Sequence, residues 1–341
     1  MNIMNSHHNA AAGILTRPFF PAHGVPIMSS PMAVSFEFFP PADEVGARQL
    51  SVAVQRLAPL APRFASVTYG ADGSTRSRTP RCVEEILRET SLCVAPHLTC
   101  IGAKKEEIQA MAKGYWHAGI RHVVALRGDG PAGAPGHRDL SYASDLVGCL
   151  KDVANFEISV ACYPEGHAEQ PGVEADITNL KRKIDAGASR AITQFCFDTD
   201  TLLRYRDRCV AAGIKIPIVP GILPITRFPQ LLRFAARCAA TVPQWLRQRF
   251  EGLDDDEHTR SLLAAHVAVD QVERLRQQGV EQFHFYTLNR ADLTYAICHA
   301  IGIRSTMATG GRPDRRSRWH ESGALTAPPA GRAPATRTAI R

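Results

Sequence analysis

Between residues 34 and 303, short runs of β-branched and aromatic residues alternate with longer stretches whose apolar positions recur every three or four residues. The short runs lie at 34–39, 64–69, 93–98, 122–127, 156–162, 190–196, 216–222 and 283–288, and they have the length and composition of buried strands. The longer ones, near 44–58, 80–90, 104–118, 141–153, 174–187, 199–212, 226–240 and 291–301, carry the helical period. Eight strand-then-helix units in series imply a parallel sheet, and eight within ~250 residues fit a closed (β/α)8 TIM barrel. An open doubly wound sheet is the alternative arrangement of the same pattern. The seventh interval is overlong, and 254–278 reads as an extra helix before the last strand. Its first residues, Asp254-Asp255-Asp256-Glu257, could be taken for a metal site, but acids at a helix start cap N–H groups and meet the dipole, which is the simpler reading.

One residue stands against the pattern of the first strand. In Val34-Ser35-Phe36-Glu37-Phe38-Phe39-Pro40-Pro41 a carboxylate interrupts an apolar, aromatic run. On a two-residue period Val34, Phe36 and Phe38 share one face, and Ser35, Glu37 and Phe39 the other. Helices cover the outside of a parallel barrel, so the Glu37 face is expected to point inward. Burial disfavours the charged form of a carboxyl group, and a neutral carboxyl is what a general acid needs near neutral pH.

Composition changes the picture mainly at the ends. The chain has 341 residues, is 45% hydrophobic and has a formal charge of +7. Residues 304–341 hold eight Arg and two acids (+6) and residues 1–33 only Arg17 (+1), so 34–303 is close to neutral. The basic balance therefore belongs to the flanks and is poor evidence for a polyanion-binding face; RNA binding by the Arg-rich tail is the alternative, against which stands its lack of interleaved aromatics beyond Trp319. Three regions are expected: a flexible leader at 1–33, a catalytic barrel at 34–303, and a disordered basic tail rich in Arg, Pro and Ala at 304–341. Nine cysteines, an odd number with no C-x-x-C pair, point to a reduced cytoplasmic protein without a disulfide frame or zinc. No apolar run approaches the ~20 residues of a membrane span.

In a barrel enzyme the chemistry gathers at the C-terminal ends of the strands. Here those ends carry Glu37, Thr68 and Tyr69, His97 and Thr99, Arg127-Gly128-Asp129, Tyr163 to His167, Thr193 and Gln194, Pro224, and Tyr286, Asn289 and Arg290. Any one of these could be an ordinary structural residue, but polar groups at nearly every strand end make a site. No Walker A loop, G-x-G-x-x-G, H-E-x-x-H or G-x-S-x-G is present. Lys183 could suggest a Schiff base, but the pattern puts it within a helix rather than at a strand end. Glu, Asp, Arg, His, Gln and Tyr alone suit a bound organic cofactor, with the protein supplying orientation and acid catalysis.

The strings VSFEFFPP, FASVTYGADG, APHLTC, RHVVALRGD, DITNLKRKIDAGASRAITQFCFD, PIVPGILPI and FHFYTLNRADLTYAIC occur in this order. Together they closely resemble the 5,10-methylenetetrahydrofolate reductase family of the bacterial, single-domain type, from about Val34 to Gly302. The resemblance implies a (β/α)8 barrel with non-covalent FAD, reduced by NADH or NADPH (NADH the expected donor). By a ping-pong mechanism, 5,10-methylenetetrahydrofolate would then be reduced to 5-methyltetrahydrofolate, which supplies methyl groups for methionine synthesis. It also implies a homotetramer; no membrane or nucleic-acid partner is expected from the apolar pattern and the charge distribution. The alternatives from other classes are a metal- or Schiff-base-dependent barrel lyase, and a flavin- or folate-binding protein without catalysis.

Matching motif by motif, the resemblance implies Glu37 as the general acid for opening the folate ring, and Asp129 as the acid that tunes the flavin and stabilises the 5-iminium cation. Gln194, Gln230, Phe234, Leu288 and Arg290 match the pocket shared by folate and nicotinamide, together with Glu37. For FAD the matching positions are Thr68, His97, Leu126, Arg127, Gly128 and Asp129; then Tyr142, Ala143, Tyr163 and His167; and finally Asp176, Asn179, Arg182, Lys183 and Tyr286. The residue types agree with these assignments: Arg127, Arg182 and Lys183 suit a diphosphate, Asp176 ribose hydroxyls, and Tyr163 an aromatic surface with a polar tip.

Overall fold

The computed structural model describes residues 32–69, 78–128, 140–167, 169 and 172–305. Asp129, nearly all of the expected leader and most of the basic tail lie outside the described residues. In chain order the elements are β1 (Ala33–Phe38), α1 (Glu44–Leu57), a 3-10 turn (Ala58–Leu60), β2 (Ala65–Val67), α2 (Arg78–Glu89), β3 (Val94–Thr99), α3 (Lys105–His117), β4 (His122–Leu126), α4 (Ala143–Val153) and β5 (Glu157–Cys162). They continue with α5 (Val173–Asp185), β6 (Arg190–Thr193), α6 (Thr199–Ala211), β7 (Ile218–Val219), β8 (Gly221–Ile222), α7 (Phe228–Cys238), α8 (Gln244–Phe250), α9 (Glu257–Gln277), β9 (Gln282–Tyr286) and α10 (Ala291–Ala300).

All strand pairs are parallel, in the order β7-β6-β5-β4-β3-β2-β1-β9-β8. The expected seventh strand is present but broken in two. Its first half, β7, pairs with β6, and its second half, β8, pairs with β9, which brings the sheet round on itself. The break falls at Pro220, which has no N–H to donate to a ladder, while its carbonyl accepts from His284 N at 2.9 Å. The fold is therefore the (β/α)8 barrel that the alternation predicts. The extra helix before the last strand is α9, and Asp256 caps it by accepting from Thr259 N at 2.9 Å. The sequence pattern did not separate α8, a short helix that follows Pro243.

Val34, Phe36 and Phe38 lie in the large apolar cluster between the barrel wall and its helices. The opposite strand faces fill the barrel, and this interior is unusually polar. Its apolar part is a small cluster of Phe64, Ala95, Val124 and Ile192, with Leu126 at its edge. Around it Ser35, Glu37, Ser66, His97, His122, Ser159, Arg190 and His284 are all buried. His122 Nε2 lies 2.8 Å from Ser159 Oγ. Phe64 sits between the His122 ring (4.4 Å, edge-on) and the His284 ring (5.6 Å, stacked). Burial, reinforced by the Arg190 guanidinium, holds His122 well below the usual imidazole range, so it is neutral. All nine cysteines are free thiols, seven of them buried. Among the described residues no helix is long and apolar enough to cross a membrane.

Candidate active site at the barrel mouth

Glu37 occupies the inward face of β1, in register with Ser66 on β2 and Tyr286 on β9, and it is 8% exposed. Its Oε2 lies 3.5 Å from His97 Nε2 and 3.6 Å from His284 Nε2. Both of those ring nitrogens are buried without a hydrogen-bond partner among the described residues. On its other side the His284 ring meets Ser35, with Nδ1 2.7 Å from Oγ. Burial pushes His97 down to about 4, outweighing the attraction of Glu37, so His97 is neutral at pH 7. His284 was not singled out from the sequence, although it lies two residues before Tyr286 and so on the same inward face.

The ends of β1 and β9 are tied together beside this group. Thr287 Oγ1 donates to the Glu37 carbonyl at 2.6 Å, and Asn289 bonds to both the N–H and the carbonyl of Phe39. Leu288 and Asn289 hold left-handed backbone conformations (φ 52° and 55°), unusual for non-glycine residues and most tolerable for Asn. Tyr286 reaches across β8 to donate to the Thr193 carbonyl on β6 at 2.7 Å. Only glycine fits beneath it: a Cβ on Gly221 would lie 2.3 Å from that carbonyl and 2.5 Å from the Tyr286 ring. Burial, followed by the neighbouring Glu37, raises the Tyr286 phenol well above its ordinary range.

A cleft open to solvent lies beyond the C-terminal ends of β4 and β5. Its walls include Leu126, Arg127, Tyr142, Ala143, Tyr163, His167, Asp176, Asn179, Arg182 and Lys183, all of them positions that the resemblance marks for FAD. Ala125, Ser144, Ala161 and Glu169 complete the lining and were not expected. Asp176 is buried; its Oδ2 accepts from Tyr163 N at 3.1 Å and from the Tyr205 hydroxyl at 2.5 Å. Burial raises its carboxyl, against the pull of Tyr205 and Lys183. Lys183 Nζ donates to the Ala161 carbonyl at 2.8 Å, and burial lowers its ammonium. Arg127 pairs with Glu169 at 2.5 Å, and Arg182 donates to Asn179 Oδ1 at 3.2 Å. The Tyr163 and His167 rings meet edge to face at 4.6 Å.

The remaining expected positions lie elsewhere around the mouth. Thr68, His97 and Tyr286 do not line the cleft: His97 and Tyr286 surround Glu37, and Thr68 continues the neighbouring strand, its N–H on the Phe38 carbonyl. Gly128, with φ 88°, closes β4 next to Arg127. Phe234 and Leu288 pack, together with Tyr286, against a second apolar cluster built on Phe195, Phe197 and α7 to α9. Gln194 Oε1 accepts from Phe195 N at 3.0 Å. Gln230 is half-buried on α7, and Arg290 is exposed at the start of α10.

A closed βα barrel with buried ionisable groups at the C-terminal ends of its strands has the build of a barrel enzyme. The profile for "Methylenetetrahydrofolate reductase" matches residues 26–302, and the chain belongs to that family, an oxidoreductase family that reduces methylenetetrahydrofolate to methyltetrahydrofolate. It is 53% identical over 271 residues to 5,10-methylenetetrahydrofolate reductase of Salmonella typhimurium, covering 80% of this chain and 91% of that protein. The Escherichia coli protein of the same name is 54% identical with the same coverage. Methylenetetrahydrofolate reductase (NADH) 1 of Arabidopsis thaliana is 34% identical over 80% of this chain but only 48% of its own length. Among solved structures, an uncharacterized protein from Clostridium thermocellum that binds two copies of 5-methyl-5,6,7,8-tetrahydrofolic acid matches with a TM-score of 0.56 and 14% identity, a likeness of fold. It covers 79% of this chain and 94% of that one.

Proposed function

We propose that this chain reduces 5,10-methylenetetrahydrofolate to 5-methyltetrahydrofolate by a ping-pong mechanism, with FAD held non-covalently in the cleft beyond β4 and β5 and NADH as the preferred reductant over NADPH. The observation that carries the cofactor reading is the chemistry of that cleft: aromatic Tyr142 and Tyr163, cationic Arg127, Arg182 and Lys183, and the buried acceptor Asp176 on one continuous wall. Arg127 and Arg182 fit a diphosphate, Asp176 a ribose diol, and the two tyrosines a flat ring. FAD, when bound, supplies a hydride store that connects a nicotinamide donor to a folate acceptor.

The folate half of the reaction adds one hydride and one proton to the substrate. The proton breaks the bond between the bridging carbon and its nitrogen, giving a 5-iminium cation, and the hydride then turns that carbon into a methyl group. Glu37 is the proposed proton donor, a reading supported by its burial on the inward face of β1. His97, kept neutral by burial, lies 3.5 Å away and does not lock the carboxyl into an ion pair. Gln194, Gln230, Phe234, Leu288 and Arg290 provide one apolar-sided pocket used in turn by nicotinamide and pterin, and Asp129 is assigned to stabilising the cation. The test is anaerobic: the purified protein should show a flavin spectrum that NADH bleaches faster than NADPH, and methylenetetrahydrofolate should restore it. A protein that shows no flavin spectrum even after FAD is added would refute the proposal.

A further inference from the structure

Tyr205 lies on α6, fully buried and outside the lining of the cleft, so it touches no ligand there. Its hydroxyl nevertheless makes a short bond to Asp176, whose side chain does line the cleft. Among the described residues, both hydrogen bonds to this carboxylate, from Tyr205 and from the Tyr163 N–H, fall on Oδ2, and neither uses Oδ1. A carboxylate gripped by two donors at one oxygen cannot rotate freely, and the other oxygen is the one left to meet a ligand. Resting on the FAD reading above, we infer that Tyr205 is a positioning residue for cofactor binding: it acts only through Asp176, fixing the orientation of the acceptor that takes the hydroxyls of the cofactor.

Two further observations support this assignment. Asp176 lies in a pocket where burial penalises its charge, so the short phenol bond also helps to keep it an acceptor. Lys183, whose ammonium donates to the Ala161 carbonyl, makes no hydrogen bond to Asp176 among the described residues. A phenyl ring at position 205 would keep the packing of α6 and remove only the hydroxyl.

The experiment is a double-mutant cycle read by FAD titration of the apoprotein, following the quenching of flavin fluorescence, with circular dichroism confirming the fold of each variant. Y205F should weaken FAD binding about tenfold, the value of one hydrogen bond to a charged group. D176A should weaken it further, and in the D176A background Y205F should change nothing, because the hydroxyl then has no carboxylate to hold. Y205F binding FAD as tightly as the wild type would overturn the tether. So would an equal loss in both backgrounds, which would mean that Tyr205 merely supports the fold, or a D176A variant with unchanged affinity. A wild-type protein that takes up no FAD would instead sink the cofactor reading itself, and the tether with it. Turnover at saturating FAD should stay within twofold of wild type in Y205F, a split that general loosening of the barrel would not give.

Discussion

Asn289 grips the peptide of Phe39 at both ends: its Oδ1 accepts from the Phe39 N–H at 2.9 Å and its Nδ2 donates to the Phe39 carbonyl at 2.9 Å. A side-chain amide here stands in for one more rung of the β1–β9 ladder, two residues beyond Glu37. Asn289→Ala should lose both bonds and place a poorly suited residue at φ 55°, costing about 2–3 kcal/mol in urea unfolding. Asn289→Asp keeps the acceptor but not the donor, and should fall between Ala and wild type.

Glu37→Gln keeps the shape of the side chain and removes the transferable proton. FAD content and NADH oxidation with a quinone acceptor should persist, while folate reduction should fall by about 10² or more, the usual range for a lost general acid. Stopped-flow measurement of the two half-reactions separates these effects. Normal folate turnover in this variant would remove Glu37 from the mechanism.

The contact between Gly221, Thr193 and Tyr286 leaves no room for a methyl group. Gly221→Ala would set a Cβ 2.3 Å from a backbone oxygen, so β8 or β6 must shift, at a cost of about 3 kcal/mol or more. A lowered urea midpoint checks this, and a partner change of Tyr286→Phe should recover little, because the backbone carbonyl remains in the way.

His97 and His122 are neutral in the folded barrel, whereas in the unfolded chain they take up protons near pH 6.5. The unfolded state therefore binds more protons between about pH 4 and 6.5, and their contribution to stability is complete above that window and lost as pH falls through it. The urea midpoint should drop from pH 7 to pH 5, and less steeply in His97→Gln. An unchanged slope in that variant would count against the buried neutral imidazole.

The strand-helix alternation was legible because each strand is flanked on the outside by an amphipathic helix, so apolar period and chain direction agree along the chain. The wall of the cleft was legible through resemblance, since Arg127, Asp176 and Lys183 lie within long matching strings. Other features depend on contacts that no local pattern encodes. Tyr205 reads as one more apolar position on α6, and only packing brings it to Asp176, 29 residues away. His284 looks like an interruption in an aromatic strand until β9 closes against β1. The split of the seventh stave at Pro220 does not show in the apolar run 216–222, because which neighbour each half joins depends on barrel closure.

That split has a dynamic consequence. Most amides in a barrel wall are protected by backbone carbonyls on the neighbouring strand, but the Gly221 N–H is held by the Thr193 hydroxyl at 3.0 Å. A hydroxyl on a rotatable bond is a looser latch than a peptide carbonyl. The seam between β6 and β8 is therefore where this barrel should breathe first. In deuterium exchange the Gly221 amide should label well ahead of those in β3 to β5, and the line of earliest labelling should run beneath the Tyr286 ring, next to the Glu37 carboxyl group.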